Sequence, residues 1–228
     1  MSNEYDFSDI APFDDSQFKE QMALLVKEPG FEHAVRYVMP EVDFGQFVQG
    51  LLAVPDKETF QKKVMRSFIE MLMNKTTDGI TFTGIENIKH GVSNTYITNH
   101  RDIVLDASFL NYCLLKSDIR TSEVAIGNNL LIYEWITDLV KINKSFIVKR
   151  NLRLTQALEA AKQLSAYIHY AVNSKHESVW IAQREGRAKD SNDITQESLV
   201  KMLGLAGGGS VAQNVLEINL MPVSISYE

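Results

Sequence analysis

The sequence predicts an α/β fold in which a mixed, largely parallel sheet is flanked by helices. After about residue 80, short apolar runs with strand-like alternation are separated by helical segments. The clearest of these helices, 152–172, places its apolar residues on one face. The first 75 residues show helical spacing alone. We therefore expect a helical N-terminal region, 1–75, followed by an α/β domain, 76–228.

The N-terminal region is predicted to contain three helices. Apolar residues recur at helical spacing over 18–26, and Pro29-Gly30 ends that pattern. A second helix is expected over 32–38. A longer amphipathic run, 60–72, predicts the third.

The α/β domain is predicted to alternate strands with helices. Strands are expected over 80–83, 96–98, 124–127, 146–148, 179–182 and 216–226. Helices are expected over 105–115, 130–140, 152–172 and 195–203. In a parallel sheet the carboxyl ends of the strands meet at one edge, where binding sites form. The residues that follow each strand are therefore the first place to look for chemistry.

Composition and charge limit the function. The chain has 228 residues, 45% of them hydrophobic, which is enough for a large core. A net charge of −6 argues against a nucleic-acid partner, because such a partner requires a basic face. The single cysteine, Cys113, excludes an intramolecular disulfide and a cysteine-rich zinc site. It lies in an apolar helix and is expected to be a small core side chain.

The sequence contains no segment that reads as a membrane span or a secretory signal. No stretch reaches the roughly 18 apolar residues that a spanning helix needs. The N-terminus is acidic and polar, whereas a secretory signal has a basic start and an apolar core. We therefore expect a cytoplasmic protein. Apolar residues continue almost to Glu228, which leads us to expect that the natural chain extends further.

A histidine and two acids follow the strand predicted at 96–98. Asp102 lies two residues after His100, and Asp106 lies six residues after it. Such a histidine can act as a general base while a carboxylate fixes its tautomer and stabilises the imidazolium. Either acid could fill that role. The alternative is that both acids begin the next helix and His100 is a surface residue.

Charged residues also follow two other predicted strands. Lys149-Arg150 comes directly after 146–148, in a segment rich in basic residues, and Glu185-Gly186-Arg187 follows 179–182. Arginine can clamp a phosphate with two hydrogen bonds, so these residues indicate an anionic partner. The alternative is a solvated charged surface.

Taken in order, these motifs resemble those of the glycerophospholipid acyltransferase family. The four blocks of that family correspond here to Asn99-His100 leading to Asp106, Phe146-Ile147-Val148-Lys149-Arg150, Arg184-Glu185-Gly186-Arg187 and Met221-Pro222-Val223. The resemblance covers about residues 80–227, so the leading 75 residues lie outside it. Two departures are visible. Five residues rather than four separate His100 from Asp106, and the third block lacks the proline and threonine of the family pattern.

The resemblance implies transfer of a fatty acyl group from acyl-CoA or acyl carrier protein to a hydroxyl of a glycerol-phosphate or lysophospholipid in phospholipid biosynthesis. It implies that His100 is the general base and Asp106 its orienting carboxylate. Arg150 and Arg187 would hold the acceptor phosphate and Glu185 would position them or the glycerol, with Arg101, Lys149 and Gly186 completing the binding set. The acyl thioester is a co-substrate, and neither a metal nor a prosthetic group is implied. Lipid substrates imply a peripheral position on the inner face of a membrane.

Two alternatives remain open at this stage. The altered first and third blocks are compatible with a catalytically degenerate lipid-binding module on the same scaffold. An acyl thioesterase, in which His100 activates water, is the other alternative.

Overall fold

A parallel sheet lies at the centre of the computed structural model, which describes residues 5–190 and 192–227. Its strands are β1 (Thr95–Thr98), β2 (Glu123–Gly127), β3 (Ser145–Val148), β4 (Val179–Ala182) and β5 (Leu220–Val223). The strand order is β3-β2-β4-β1-β5, and each pairing among the described residues is parallel. The predicted α/β class is confirmed.

Helices precede the sheet and separate its strands. They are α1 (Asp15–Leu25), α2 (Pro29–Val38), α3 (Phe44–Leu52), α4 (Lys57–Thr59), α5 (Arg66–Thr76), α6 (Leu105–Lys116), α7 (Glu134–Ile142), α8 (Leu154–Asn173), α9 (Glu197–Leu203) and α10 (Val211–Glu217). A π-helical segment, Phe60–Met65, joins α4 to α5. No helix in the described ranges is long and apolar enough to cross a bilayer.

The strand predicted over 80–83 is wrong. These residues have no regular structure, and Thr81 to Thr83 are exposed. Ile80 packs against a small apolar cluster between α5 and α6. The alternation over 80–83 therefore does not mark a strand. It arises because Ile80 packs against α5 and α6.

Three helices are not predicted from the sequence, namely the three-residue α4 and the longer α3 and α10. Helix α3 begins where the Asp43 carboxylate accepts a hydrogen bond from the backbone N–H of Gln46 at 2.8 Å. Helix α10 begins with a capping box between Ser210 and Gln213. Because α10 includes Leu216, the final strand starts only at Leu220, four residues later than predicted.

The sheet is covered on both faces. Helices α8 and α9 pack on one face through a buried cluster that includes Phe146, Val179, Ile181, Ile168 and Leu203. Helix α6 packs on the other face through Tyr96, Trp180, Leu110 and Leu114. This alternation along β4 is what a strand buried on both sides requires.

The N-terminal helices join the sheet through α7. Phe18, Met22, Leu25 and Phe31 form a cluster that includes Ile142 at the end of α7. The segment before α1 covers the β3 edge, where the backbone N–H of Ile147 donates to the carbonyl of Ile10 at 2.9 Å. Helices α1 to α5 thus occupy the region predicted to be helical, and its assignment as a separate domain stays a prediction.

Candidate active site

His100 lies in the loop after β1 with its ring turned toward Asp106. The His100 Nδ1 atom is 3.0 Å from Oδ2 of Asp106. Trp180 holds the other side of the ring in an edge-to-face contact with centroids 6.3 Å apart. A hydrogen bond at Nδ1 leaves Nε2 as the nitrogen that can exchange a proton with a substrate.

Asp106 is fully buried, at 0% exposure, and its carboxylate is saturated with donors. Oδ2 accepts from His100 Nδ1 and from the backbone N–H groups of Arg101 and Asp102, and Oδ1 accepts from the Tyr227 hydroxyl. Burial alone would raise the pKa of Asp106, but these hydrogen bonds hold that pKa below its ordinary value. The ionised carboxylate therefore favours the tautomer with a proton on Nδ1 and a free lone pair on Nε2.

Asp102 has a different role from Asp106. Its Oδ1 accepts hydrogen bonds from the backbone N–H groups of Val104 and Leu105, both at 2.8 Å, at the start of α6. The loop over 101–104 curls so that its first two N–H groups point at the Asp106 carboxylate. This curl accommodates the additional residue between His100 and Asp106, and it makes Asp106 the partner of the imidazole.

A distant loop fixes the backbone of His100. The N–H of His100 donates to Oδ2 of Asp193 at 2.9 Å, and its carbonyl accepts from the N–H of Ala188 at 2.8 Å. Gln183 in turn holds the Asp193 side chain through a 3.0 Å hydrogen bond. The sequence analysis missed Asp193, since an acid in a polar loop 93 residues from its partner carries no local signal.

The segment after β5 closes the site from the other side. The Asn99 side chain donates to the carbonyl of Ile225 and accepts from its N–H, both at 2.7 Å. Two residues further on, the Tyr227 hydroxyl reaches Asp106 at 2.8 Å. Burial and the hydrogen bond to Asp106 raise the pKa of Tyr227, so this hydroxyl remains a donor. Tyr227 was missed because it reads as one more residue of an apolar strand.

A cavity of about 440 Å³ opens at the carboxyl edge of β2, β3 and β4. His100, Lys149, Arg150, Arg184 and Glu185 contribute to its wall. Helices α8 and α9 supply apolar side chains opposite them. The three predicted loops therefore converge on one cavity.

The basic residues of the cavity have acidic neighbours. Arg150 forms an ion pair with Glu185, with 2.8 Å between Nη1 and Oε1. Lys149 forms an ion pair with Asp9 and donates to Oε1 of Gln163 at 2.9 Å. The N-terminal segment thus engages Lys149, while Arg150 faces the Glu185 loop.

Four predicted site residues do not line the cavity, namely Arg101, Asp106, Gly186 and Arg187. Asp106 is buried behind the His100 loop. Arg101 donates to the carbonyl of Asp190 at 3.0 Å. Gly186 adopts a left-handed conformation, with φ of 74°, so the chain turns immediately after Glu185 and Arg187 is exposed. Arg187 therefore lies away from the wall that Arg150 lines, and its part in acceptor binding stays a prediction. Arg184, which the sequence analysis gave no role, occupies that wall instead.

A second, larger cavity of about 830 Å³ lies between the N-terminal helices and the sheet. Its wall is mainly apolar and includes Met22, Phe31, Val35, Phe47, Met65, Phe68 and Trp135. Ile103 and Ile126 line both cavities, so the two adjoin beside the His100 loop. This cavity cannot be predicted from the sequence, because each contributing helix has ordinary amphipathic spacing.

A family model described as Acyltransferase matches residues 79–226. The chain belongs to the acyltransferase family. This membership confirms the resemblance to glycerophospholipid acyltransferases. No curated protein sequence matches the chain. The His100–Asp106 pair and the smaller cavity of the acyltransferase lie within the matched residues, whereas most of the larger cavity is built by residues before 79.

The environment of the Cys113 thiol suits a structural rather than a catalytic role. Burial raises the pKa of the Cys113 thiol to about 11, so the thiol stays protonated at neutral pH and is a poor nucleophile. Within residues 5–190 and 192–227, no three His, Cys, Asp or Glu side chains are grouped to hold a metal.

Proposed function

We propose that this acyltransferase moves a fatty acyl group from acyl-CoA or acyl carrier protein to a hydroxyl of a glycerol-phosphate or lysophospholipid. The observation that carries the proposal is His100 on the wall of a cavity that Arg150 also lines, with its Nδ1 atom 3.0 Å from the carboxylate of the buried Asp106. A base held in one tautomer beside an anion-binding side chain suits the deprotonation of a phosphorylated alcohol.

The reaction begins when Nε2 of His100 accepts the proton of the acceptor hydroxyl. The alkoxide oxygen forms a bond to the thioester carbonyl carbon, and the carbon–sulfur bond of the resulting tetrahedral species breaks. The leaving thiolate takes the proton back from His100, which returns to its starting form. Asp106 stays ionised and stabilises the imidazolium, since its four hydrogen bonds favour the charged carboxylate.

The larger apolar cavity supports a fatty acyl group as the one transferred. Burial of an acyl chain gains about 0.8 kcal/mol for each methylene removed from water. Because Ile103 and Ile126 line both cavities, a chain lying between the N-terminal helices would start close to His100. The thioester carbonyl would then lie at the junction of the two cavities.

The smaller cavity would receive the acceptor, with Arg150 near its phosphate. Lys149 lies on the same wall, and Glu185 forms an ion pair with Arg150 in the absence of the acceptor. The family resemblance assigns Arg101, Gly186 and Arg187 to acceptor binding as well. These three lie on neighbouring loops, where they would act at the mouth of the cavity.

A peripheral position on the inner face of a membrane is part of the proposal. Exposed apolar side chains occupy the loops at the carboxyl edge of the sheet, namely Ile103, Val104, Leu130, Ile132, Tyr133 and Leu154. Their exposure suits contact with the lipid surface that supplies the acceptor. Reduced binding of an Ile132→Glu protein to anionic vesicles would support this, with Leu216→Glu on α10 as the control.

The test is an incubation of the purified protein with a labelled acyl thioester and a series of hydroxyl acceptors. We expect a labelled ester that forms only when the acceptor carries a phosphate. Free fatty acid released at the same rate without any acceptor would identify a thioesterase. Binding of both substrates without any product would identify a degenerate lipid-binding module.

A further inference from the structure

Two arginines that line the smaller cavity each have one buried guanidinium nitrogen without a partner among the described residues. These nitrogens are the Nε atoms of Arg150 and Arg184. An unpaired buried donor costs free energy, so two such arginines on one cavity wall point to a ligand that would pair with them. The side of a guanidinium that carries Nε is suited to two parallel hydrogen bonds with one phosphate.

The backbone beside Arg150 makes room for this guanidinium. A Cβ atom added at Gly127 would lie 2.6 Å from Nε of Arg150 and 2.5 Å from the Asn129 side chain. Any larger residue would displace the arginine. The hydrogen bond from the Arg150 N–H to Oδ1 of Asn128, at 2.9 Å, fixes the backbone from which the side chain extends.

Glu185 already supplies a carboxylate to this cluster. Its Oε1 atom pairs with Nη1 of Arg150, while 66% of its side chain stays exposed. The Glu185 backbone is tied separately, because its N–H donates to Oε1 of Gln196 at 2.7 Å. The side chain could therefore turn into solvent without moving the loop.

We propose that Arg150 and Arg184 form a phosphate clamp and that Glu185 occupies it until a phosphorylated acceptor binds. A phosphate monoester carries more negative charge than one carboxylate and offers oxygens to both guanidinium groups. It therefore displaces Glu185, whose exposed ion pair is weak. This assignment deepens the proposed function, on which the identity of the phosphate as part of the acceptor rests.

In the proposed clamp, acceptor selectivity depends on Arg184, a residue that is not part of the family pattern. Arg184 stands where the third block of the family has proline, whereas Arg187 occupies the position of the family arginine. Arg184 lines the cavity, and its Nη1 atom donates to the carbonyl of Asn192 at 3.1 Å. Arg187 lies beyond the Gly186 turn. This block is one residue shorter than in the family. The arginine that binds the phosphate therefore precedes Glu185 in the chain instead of following it.

Calorimetric titration with glycerol 3-phosphate and with inorganic phosphate tests the clamp without any acyl donor. We expect Arg184→Gln to weaken the binding of both ligands by tenfold or more, on the scale of a lost charge-assisted hydrogen bond. Arg187→Gln tests the competing assignment, and Lys189→Gln on the same loop controls for general loss of charge. A weaker Arg187→Gln protein beside an unchanged Arg184→Gln protein would overturn the proposal.

Glu185→Gln separates occupation of the clamp from a direct contribution to binding. Removing the carboxylate charge frees Arg150, so we expect this variant to bind phosphate several-fold more tightly than the unaltered protein at the same ionic strength. Equal or weaker binding would overturn the role given to Glu185. Thermal unfolding of each variant verifies that it folds.

The proposed function and the clamp fail in different experiments. A protein that binds phosphate through Arg184 but transfers no acyl group would keep the clamp and refute the transfer reaction. A protein that transfers acyl groups with an unchanged acceptor KM after Arg184→Gln would keep the reaction and refute the clamp.

Discussion

The chemistry of His100 is set by one buried carboxylate. Asp106 receives four hydrogen bonds, one from the imidazole, two from backbone N–H groups and one from the Tyr227 hydroxyl. These donors compensate for the loss of water around a charge that is 0% exposed. The same carboxylate that orients the ring therefore also organises the loop that carries it.

Replacing Asp106 by Asn tests this orienting role. An Asn side chain can donate a hydrogen bond to Nδ1, which favours the tautomer with the proton on Nε2 and removes the base. We expect kcat to fall by about 10² or more. Asp102→Asn is the matched control, because Asn also caps helices, and its kcat should change only slightly. A larger fall in kcat for Asp102→Asn than for Asp106→Asn would contradict the assignment of Asp106 as the partner of the imidazole.

The depressed pKa of Asp106 predicts a dependence of stability on pH. The folded protein keeps this pKa below the ordinary value of 3.8. Asp106 therefore contributes stability that is fully present above that value and is lost as the pH falls through the lower, folded pKa. Urea unfolding between about pH 6 and pH 2.5 should show the stability difference between the protein and Asp106→Asn shrinking at acid pH. A difference that is constant across this range would contradict the prediction.

The sequence could predict His100 and its acids because they lie within eight residues after one strand. It could not predict Asp193 or Tyr227, which reach the same loop from 93 and 121 residues away. Their positions depend on how the chain folds back over the edge of the sheet. Arg184 was missed for a different reason, since the family pattern directs attention to Arg187.

At the scale of elements, β5 and the residues after it form part of the site. Asn99 ties its own loop to Ile225 through two hydrogen bonds, and this brings Tyr227 over Asp106. The asparagine beside His100 thus has a structural role that joins two ends of the family domain. The segment that follows the edge strand β5 thereby supplies a hydrogen-bond donor to the buried Asp106 carboxylate.

Tyr227→Phe isolates the contribution of this closing segment. Loss of one charge-assisted donor should lower kcat by about tenfold, because the carboxylate becomes free to shift away from the imidazole. Tyr37→Phe on α2, a residue 82% exposed, is the control and should leave kcat unchanged. Equal kcat values for the two variants would show that the hydrogen bond to Asp106 has no effect on the reaction.

A helix can be predicted from the sequence when its apolar repeat continues over many turns, and short helices lack such a repeat. Helix α8 spans 20 residues and was placed to within two residues at its start. Helix α3 contains Gly45 and Gly50, which weaken the helical signal, and α10 follows a glycine-rich run. In both cases the side chain that caps the helix, rather than its apolar pattern, marks the start.

On the scale of the whole molecule, the proposed function places the acceptor in the smaller cavity and the acyl chain in the larger one. The polar cavity lies at the sheet edge within the family domain, and the apolar one lies under the N-terminal helices. Convergence of the three motif loops was predictable from parallel strand order alone. The apolar cavity was not, since its wall combines side chains from helices far apart in the chain.

Ala34→Trp on α2 tests the larger cavity as the site of the acyl chain, because Ala34 lines that cavity and not the smaller one. Extra bulk away from the junction should lower kcat/KM more for long acyl thioesters than for short ones, because only long chains reach it. Leu216→Trp on α10, at a position 76% exposed, is the control. The comparison uses donors of graded length with one acceptor. An equal decrease for every length would place the chain elsewhere.

The measurement that bears most directly on the central claim is acyl transfer by the His100→Ala protein, followed together with its binding of glycerol 3-phosphate. We expect the unaltered protein to form an ester and the variant to lose about 10²- to 10⁴-fold in kcat, the usual contribution of a general base. Binding of glycerol 3-phosphate should persist, because Arg150 and Arg184 are unchanged. Ester formation at the original rate in the His100→Ala protein would contradict the mechanism.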